Sequence, residues 1–88
     1  NFTPDWGEIV KWTNNSYQSL HFDSASDITK NTSITYLNND YDGGETYFED
    51  GTIIKPKTGR TVIFDGKKYK HGVNKVNGVR YTLPVWYK

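Results

Sequence analysis

The chain has 88 residues, 34% of them hydrophobic and 16% aromatic, with no cysteine and a formal net charge of +1. That length predicts one domain over residues 1–88, marginal by surface-to-volume scaling, whose core must be built largely from Tyr, Trp and Phe. The missing cysteines exclude disulfides and thiolate metal sites, the charge excludes bulk electrostatic capture of nucleic acid, and no apolar run approaches the roughly 18 residues of a membrane span, so with no signal-peptide pattern the default expectation is cytoplasmic.

Few stretches suit a helix. β-branched and aromatic residues are spread throughout and broken by Asn, Asp and Gly clusters, the mark of many short strands joined by turns. In chain order, strands are expected near 8–13 (EIVKWT), 19–23 (SLHFD), 33–38 (SITYLN), 45–49 (ETYFE), 52–55 (TIIK), 60–64 (RTVIF), 70–73 (KHGV) and 79–87 (VRYTLPVWY). Turn chemistry fills the intervals at 38–44 (NNDYDGG), 49–51 (EDG), 55–60 (KPKTGR) and 65–68 (DGKK). Eight short strands need two facing sheets or a closed barrel to keep their aromatics dry, and alternation alone does not choose between them. Three N-x-[ST] sequons begin at Asn1, Asn14 and Asn31, as chance produces in an Asn-rich chain.

The stretch SLHFD holds one of only two histidines. In a strand, residues i and i+2 share a face, so His21 and Asp23 project together with Phe22 opposite. His71, the second histidine, lies on another expected strand. Two imidazoles and one carboxylate form the facial triad that suits Fe(II) and leaves open coordination positions. H-x-D alone is weak, because surface His and Asp are ordinary. The pattern strengthens at Arg80, one of two arginines, nine residues after His71 on the final strand. A guanidinium there can meet a carboxylate bidentately, which lysine does less well, and the Thr82 hydroxyl lies on the same strand face.

With these residues in place, the sequence resembles the 2-oxoglutarate- and Fe(II)-dependent dioxygenases, and within them the prolyl 4-hydroxylases. HFD at 21–23, HGV at 71–73 and RYT at 80–82 carry the likeness, with YLNNDYDGGETYF at 36–48, KPKTGRTVIF at 55–64 and HGVNKVNGVRYTLPVWY at 71–87. It runs from about Trp12 to Tyr87. The resemblance implies an all-β double-stranded β-helix, or jelly roll, with the metal ligands on the second and seventh of eight strands and the arginine on the eighth. It implies His21, Asp23 and His71 as iron ligands, with no catalytic side chain beyond the metal centre. It implies Arg80 on the distal carboxylate of 2-oxoglutarate, with Tyr36 and Thr82 as further co-substrate contacts. Fe(II) and 2-oxoglutarate are the implied cofactors, ascorbate a reductant, and a proline-containing peptide or protein the substrate. Asp23 favours hydroxylation over halogenation, since related halogenases lack that carboxylate.

Three departures stand out. Trp12 occupies the place of a usual tyrosine on the strand before H-x-D, with Tyr17 as a partial replacement. The co-substrate cation is an arginine nine residues after the second histidine, as in the oxygen-sensing branch, where many members have a lysine at ten. No N-terminal helices precede the strands. Tyr81, Leu83, Val85 and Tyr87 face away from Arg80 and are expected to be covered by a missing N-terminal region or a homo-oligomer partner. Some residues keep two readings: Trp86 as pocket border or core, Tyr36 as ligand or core, and GKKYK at 66–70 as solvated turn or guide for an acidic substrate. The carboxylates of DYD and EDG do not have calcium-loop spacing. The rival functions are a non-catalytic jelly-roll module binding carbohydrate or peptide, and a degenerate member that binds metal without turnover.

Overall fold

The computed structural model describes residues 3–23 and 31–88. The sequon at Asn1 lies outside them. Eleven strands appear and, among the described residues, no helix. They are β1 (Pro4–Gly7), β2 (Val10–Trp12), β3 (Gln18–His21), β4 (Asn31–Tyr36), β5 (Asp42–Gly43), β6 (Thr46–Phe48), β7 (Ile53–Ile54), β8 (Thr61–Phe64), β9 (His71–Val73), β10 (Val76–Asn77) and β11 (Arg80–Tyr87). All eight expected strands are present. The three additions, β1, β5 and β10, are short and made of Pro, Asp, Gly and Asn as much as of strand formers, so local propensity gives no sign of them. They exist because a partner strand supplies the hydrogen bonds.

One sheet has the order β1-β11-β4-β8, with β2 also paired to β11; a second has the order β3-β9-β6-β7. β5 and β10 form a separate two-stranded ladder. Strand β11 organises the larger sheet. β4 pairs along one side of it from Thr82 to Tyr87, while β2 and β1 share the other side, at residues 80–82 and 85–87. Pro84 sits in the gap between β2 and β1, and its carbonyl accepts from Glu8 N–H at 3.2 Å. In a strand the N and C=O of one residue point the same way, so the missing donor of Pro84 faces the break in the edge strand. That is why a proline is tolerated mid-strand here.

Alternation along β11 is clear. Arg80, Thr82 and Pro84 are buried, Tyr81 is exposed, and Leu83, Val85 and Tyr87 are half-buried on the outer face, where Tyr87 OH meets Ser33 Oγ at 3.0 Å. The interior is unusual in content. Among the described residues its buried apolar side chains are Tyr36, Phe64, Val73, Val76 and Pro84, whereas Thr32, Ser33, Thr46, His71, Arg80 and Thr82 are buried polar groups. Burying a polar group costs free energy unless it finds a partner inside the molecule, so the pairing of these six side chains governs what the interior can tolerate.

Gly43 takes φ +69°, and a Cβ there would run into the Lys75 carbonyl across the β5–β10 ladder. Gly43→Ala is therefore expected to destabilise the protein by about 2 kcal/mol or more, combining left-handed strain with a backbone clash. Urea unfolding measures it; an unchanged midpoint would mean that this ladder relaxes freely.

Candidate metal centre

The β3–β9 ladder sets the two histidines directly opposite each other, and their ring centroids are 4.4 Å apart. Asp23 does not lie on β3, as the expected strand over 19–23 had it. The ladder ends at His21 because β9 begins at His71, so no partner remains beside Phe22 and Asp23. Instead Asp23 N–H donates to the Gly66 carbonyl at 2.8 Å, and this contact aims the carboxylate back at the imidazoles. A Cβ at Gly66 would collide with both the Asp23 carboxylate and Thr32 Oγ1, so the approach requires glycine.

The proton positions follow from the hydrogen bonds. His21 Nδ1 lies 2.9 Å from the Ser19 carbonyl and His71 Nδ1 lies 3.1 Å from the Tyr69 carbonyl. A carbonyl only accepts, so both Nδ1 atoms carry hydrogen, and in the neutral rings Nε2 presents a lone pair. These Nε2 atoms stand 3.8 Å (His21) and 3.2 Å (His71) from Asp23 Oδ1. Two imidazole nitrogens and a carboxylate oxygen, each able to act as a metal ligand, thus converge within 4.8 Å. Such a cluster repels itself unless a cation or proton lies among its members, and backbone-tethered imidazoles opposite a carboxylate are the donor set that holds a divalent metal.

The other carboxylate oxygen is occupied. Asp23 Oδ2 accepts from Thr32 Oγ1 at 2.5 Å and from Trp86 Nε1 at 3.3 Å. Burial pushes the Asp23 pKa up, but His71, the Thr32 hydroxyl and the Trp86 indole together outweigh it and hold the carboxyl below its ordinary range. Asp23 is therefore an ionised group whose Oδ1 faces the two imidazoles. His71 is fixed from behind by Phe64, edge-on at 4.6 Å, which in turn meets Phe48 at 5.1 Å.

The cluster borders a cavity of about 180 Å³ whose wall also includes Arg80, Thr82, Thr46 and Trp12. Arg80 is 1% exposed. Its Nε donates to the Gly44 carbonyl at 2.9 Å and its Nη2 to Thr46 Oγ1 at 3.2 Å. The rings of Trp12 and Tyr36 lie 5.0 and 5.2 Å from the guanidinium carbon. Among the described residues no carboxylate pairs with it. A buried cation supported only by neutral acceptors and aromatic faces is poised for an anion. The Thr82 hydroxyl makes no hydrogen bond to a described residue and faces the same cavity.

Tyr36 is placed differently from the rest. It is fully buried behind the wall; its oxygen accepts from Thr46 N–H at 3.2 Å and lies 2.5 Å from Thr46 Oγ1. Thr46 is the residue that presents a hydroxyl to the cavity. Trp12 lines the wall, with an indole N–H that is buried without a hydrogen-bond partner, while Tyr17 is 70% exposed. Sequence reasoning passed over Thr32, Thr46 and Gly66. Thr32 shares strand parity with Tyr36 on β4, which could have exposed it; Gly66 looked like any turn glycine.

The sequence profile of the 2OG-Fe(II) oxygenase superfamily matches residues 7–88. The chain belongs to this superfamily. A protein of Acanthamoeba polyphaga mimivirus, provisionally named a prolyl 4-hydroxylase, is 32% identical over 71 residues, covering 65% of this chain and 29% of its own length. Among solved structures, a 2OG-Fe(II) oxygenase family oxidoreductase from Burkholderia pseudomallei superposes with a TM-score of 0.83 at 25% identity, over 99% of this chain and 43% of that one. The viral collagen prolyl hydroxylase of Paramecium Bursaria Chlorella virus-1, solved as a 2OG complex, superposes with a TM-score of 0.78 at 25% identity, over 99% and 60%. This superfamily chain therefore spans under two thirds of the length of each of these relatives. The double-stranded β-helix expected from sequence is the fold observed, and the superfamily implies Fe(II) and 2-oxoglutarate, to which the His–Asp–His donor set and the unpaired guanidinium are suited.

Thr32→Val keeps the shape of the side chain but removes a donor from Asp23 Oδ2. Loss of a group that orients a metal ligand typically costs ten- to a hundredfold in affinity, so Mn(II) affinity by calorimetry should fall by about that factor, and the melting temperature of the metal-free protein should fall as well, because a buried carboxylate loses a donor. Wild-type affinity would show that Asp23 needs no such support.

Proposed function

We propose that the protein is an Fe(II)- and 2-oxoglutarate-dependent dioxygenase that hydroxylates a prolyl residue of a peptide or protein. The observation that carries this reading is the pairing, in one cavity, of three converging ligand atoms with a buried guanidinium that no carboxylate among the described residues pairs. His21 and His71 through Nε2, and Asp23 through Oδ1, hold the metal. When bound, Fe(II) and 2-oxoglutarate supply the oxidant that places one atom of dioxygen into a C–H bond while the keto acid loses carbon dioxide.

The chain's own residues bind, orient and enclose. Arg80 pairs with the distal carboxylate of the co-substrate, with its fork aimed by the Gly44 carbonyl and Thr46. Thr82 supplies a hydroxyl to the same carboxylate. Tyr36 acts behind them, bracing Thr46 and stacking on Arg80, in place of the direct contact expected from sequence. Thr32 and Trp86 keep Asp23 ionised and singly available. Similarity to prolyl hydroxylases supports the choice of prolyl substrate. No helix among the described residues is long and apolar enough to cross a membrane.

Anaerobic calorimetry with Mn(II) and then 2-oxoglutarate, followed by succinate release with Fe(II) and a proline-rich peptide, tests this reading. Absence of metal binding would leave only a binding module; metal and keto acid binding without succinate release would leave a member that has lost turnover. His71→Ala is expected to abolish Mn(II) binding while the protein still melts cooperatively. Arg80→Lys keeps the charge but loses the fork, at a cost of about 1.5–3 kcal/mol for a charged hydrogen bond, so the Kd for 2-oxoglutarate should rise tenfold or more. An unchanged Kd would remove Arg80 from the site.

A further inference from the structure

Strict alternation along β3 would place Ser19 on the face of His21. The structure places Gln18 there instead. In the β3–β9 ladder Gln18 opposes Val73 and His21 opposes His71, so three residue steps of β3 match two of β9. The extra residue is a β-bulge, the device that re-aims a side chain beside a functional site. His71 and Val73 share a face, and directly opposed residues share a face too, so Gln18 and His21 both look inward. Gln18 accordingly lines the cavity.

Its level within the cavity is set by the ladders. His21, His71 and Phe48 form one row across the smaller sheet; Gln18, Val73 and Thr46 form the next. Thr46 is the residue bonded to Arg80. The row of Gln18 is therefore the row of the guanidinium, one step away from the metal ligands. The Gln18 carboxamide makes no hydrogen bond to a described residue; its backbone carbonyl accepts from Tyr47 OH at 3.3 Å. An exposed carboxamide that a bulge has set at the cavity wall, level with a buried cation that no described carboxylate pairs, has N–H donors to offer an anion bound there.

We propose that Gln18 is a further co-substrate contact, donating from its carboxamide to the same dicarboxylate that pairs with Arg80. This rests on the function proposed above. Equilibrium binding of 2-oxoglutarate to the Mn(II)-loaded protein, measured without turnover, tests it. Gln18→Leu removes the donor and should weaken binding about tenfold. Gln18→Glu keeps the shape but sets a carboxylate against the ligand's own, and should weaken binding about a hundredfold, with part of that loss relieved by added salt. Both variants should keep wild-type Mn(II) affinity and melting temperature, since Gln18 is exposed on an edge strand. If wild type binds 2-oxoglutarate, Arg80→Lys weakens it and Gln18→Glu does not, the role of Gln18 is wrong and the oxygenase reading survives. If wild type does not bind 2-oxoglutarate, both fall together.

Discussion

The carboxylate of Asp23 is the joint on which the structure turns. It follows the edge strand of the smaller sheet, yet its Oδ2 is held by Thr32 and Trp86 from two neighbouring strands of the larger one, while Oδ1 meets the imidazole of His71. One side chain thereby ties the two sheets together and presents a charge to the cavity between them. An ionised carboxylate enclosed in this way is costly unless each oxygen is answered. Oδ2 is answered by hydroxyl and indole donors. Oδ1 faces the Nε2 atoms of both imidazoles, and these three atoms together are the donor set for a cation.

The same logic operates at the other end of the cavity with the sign reversed. Arg80 has its Nε and one Nη2 hydrogen satisfied by neutral acceptors, and aromatic rings approach its carbon, but among the described residues no carboxylate neutralises it. Folded proteins are only marginally stable. Leaving one site short of a cation and the other short of an anion is a strain that a pure fold would not retain. Both are relieved by one pair of ligands, a divalent metal and a dicarboxylate. The scarcity of enclosed apolar side chains has the same origin: the interior is shaped around these ligands as much as around its own packing.

Strand β11 carries this arrangement. Its inward residues reach from Arg80 at one end to Trp86 beside Asp23 at the other, with Thr82 and Pro84 between. Pro84 interrupts the hydrogen bonding only where the edge strand is already broken between β2 and β1. The strand remains continuous on the β4 side, and the two ends of the site keep a fixed separation.

Much of this was legible in the sequence, because it depends on short-range rules. Period-two alternation put His21 with Asp23 and Arg80 with Thr82 and Trp86, and the turn residues separated eight strands that all appear. The scarcity of histidine and arginine left few candidates for each role. What alternation could not supply were the places where tertiary contacts override it. The bulge in β3 exchanges Gln18 for Ser19, and nothing in SYQSLH signals it, because a bulge is a mismatch between two strands and belongs to neither alone. Asp23 leaves the strand and is aimed by Gly66, far along the chain, a contact that only chain closure creates. Thr46 stands at the cavity wall with Tyr36 behind it, an order alternation could not give because depth behind a wall is a property of the packed sheets. The chemistry of the site was written in residue types and local spacing; which atoms face the cavity was decided by the pairing of distant strands, since only there does each buried donor and acceptor meet, or fail to meet, its partner.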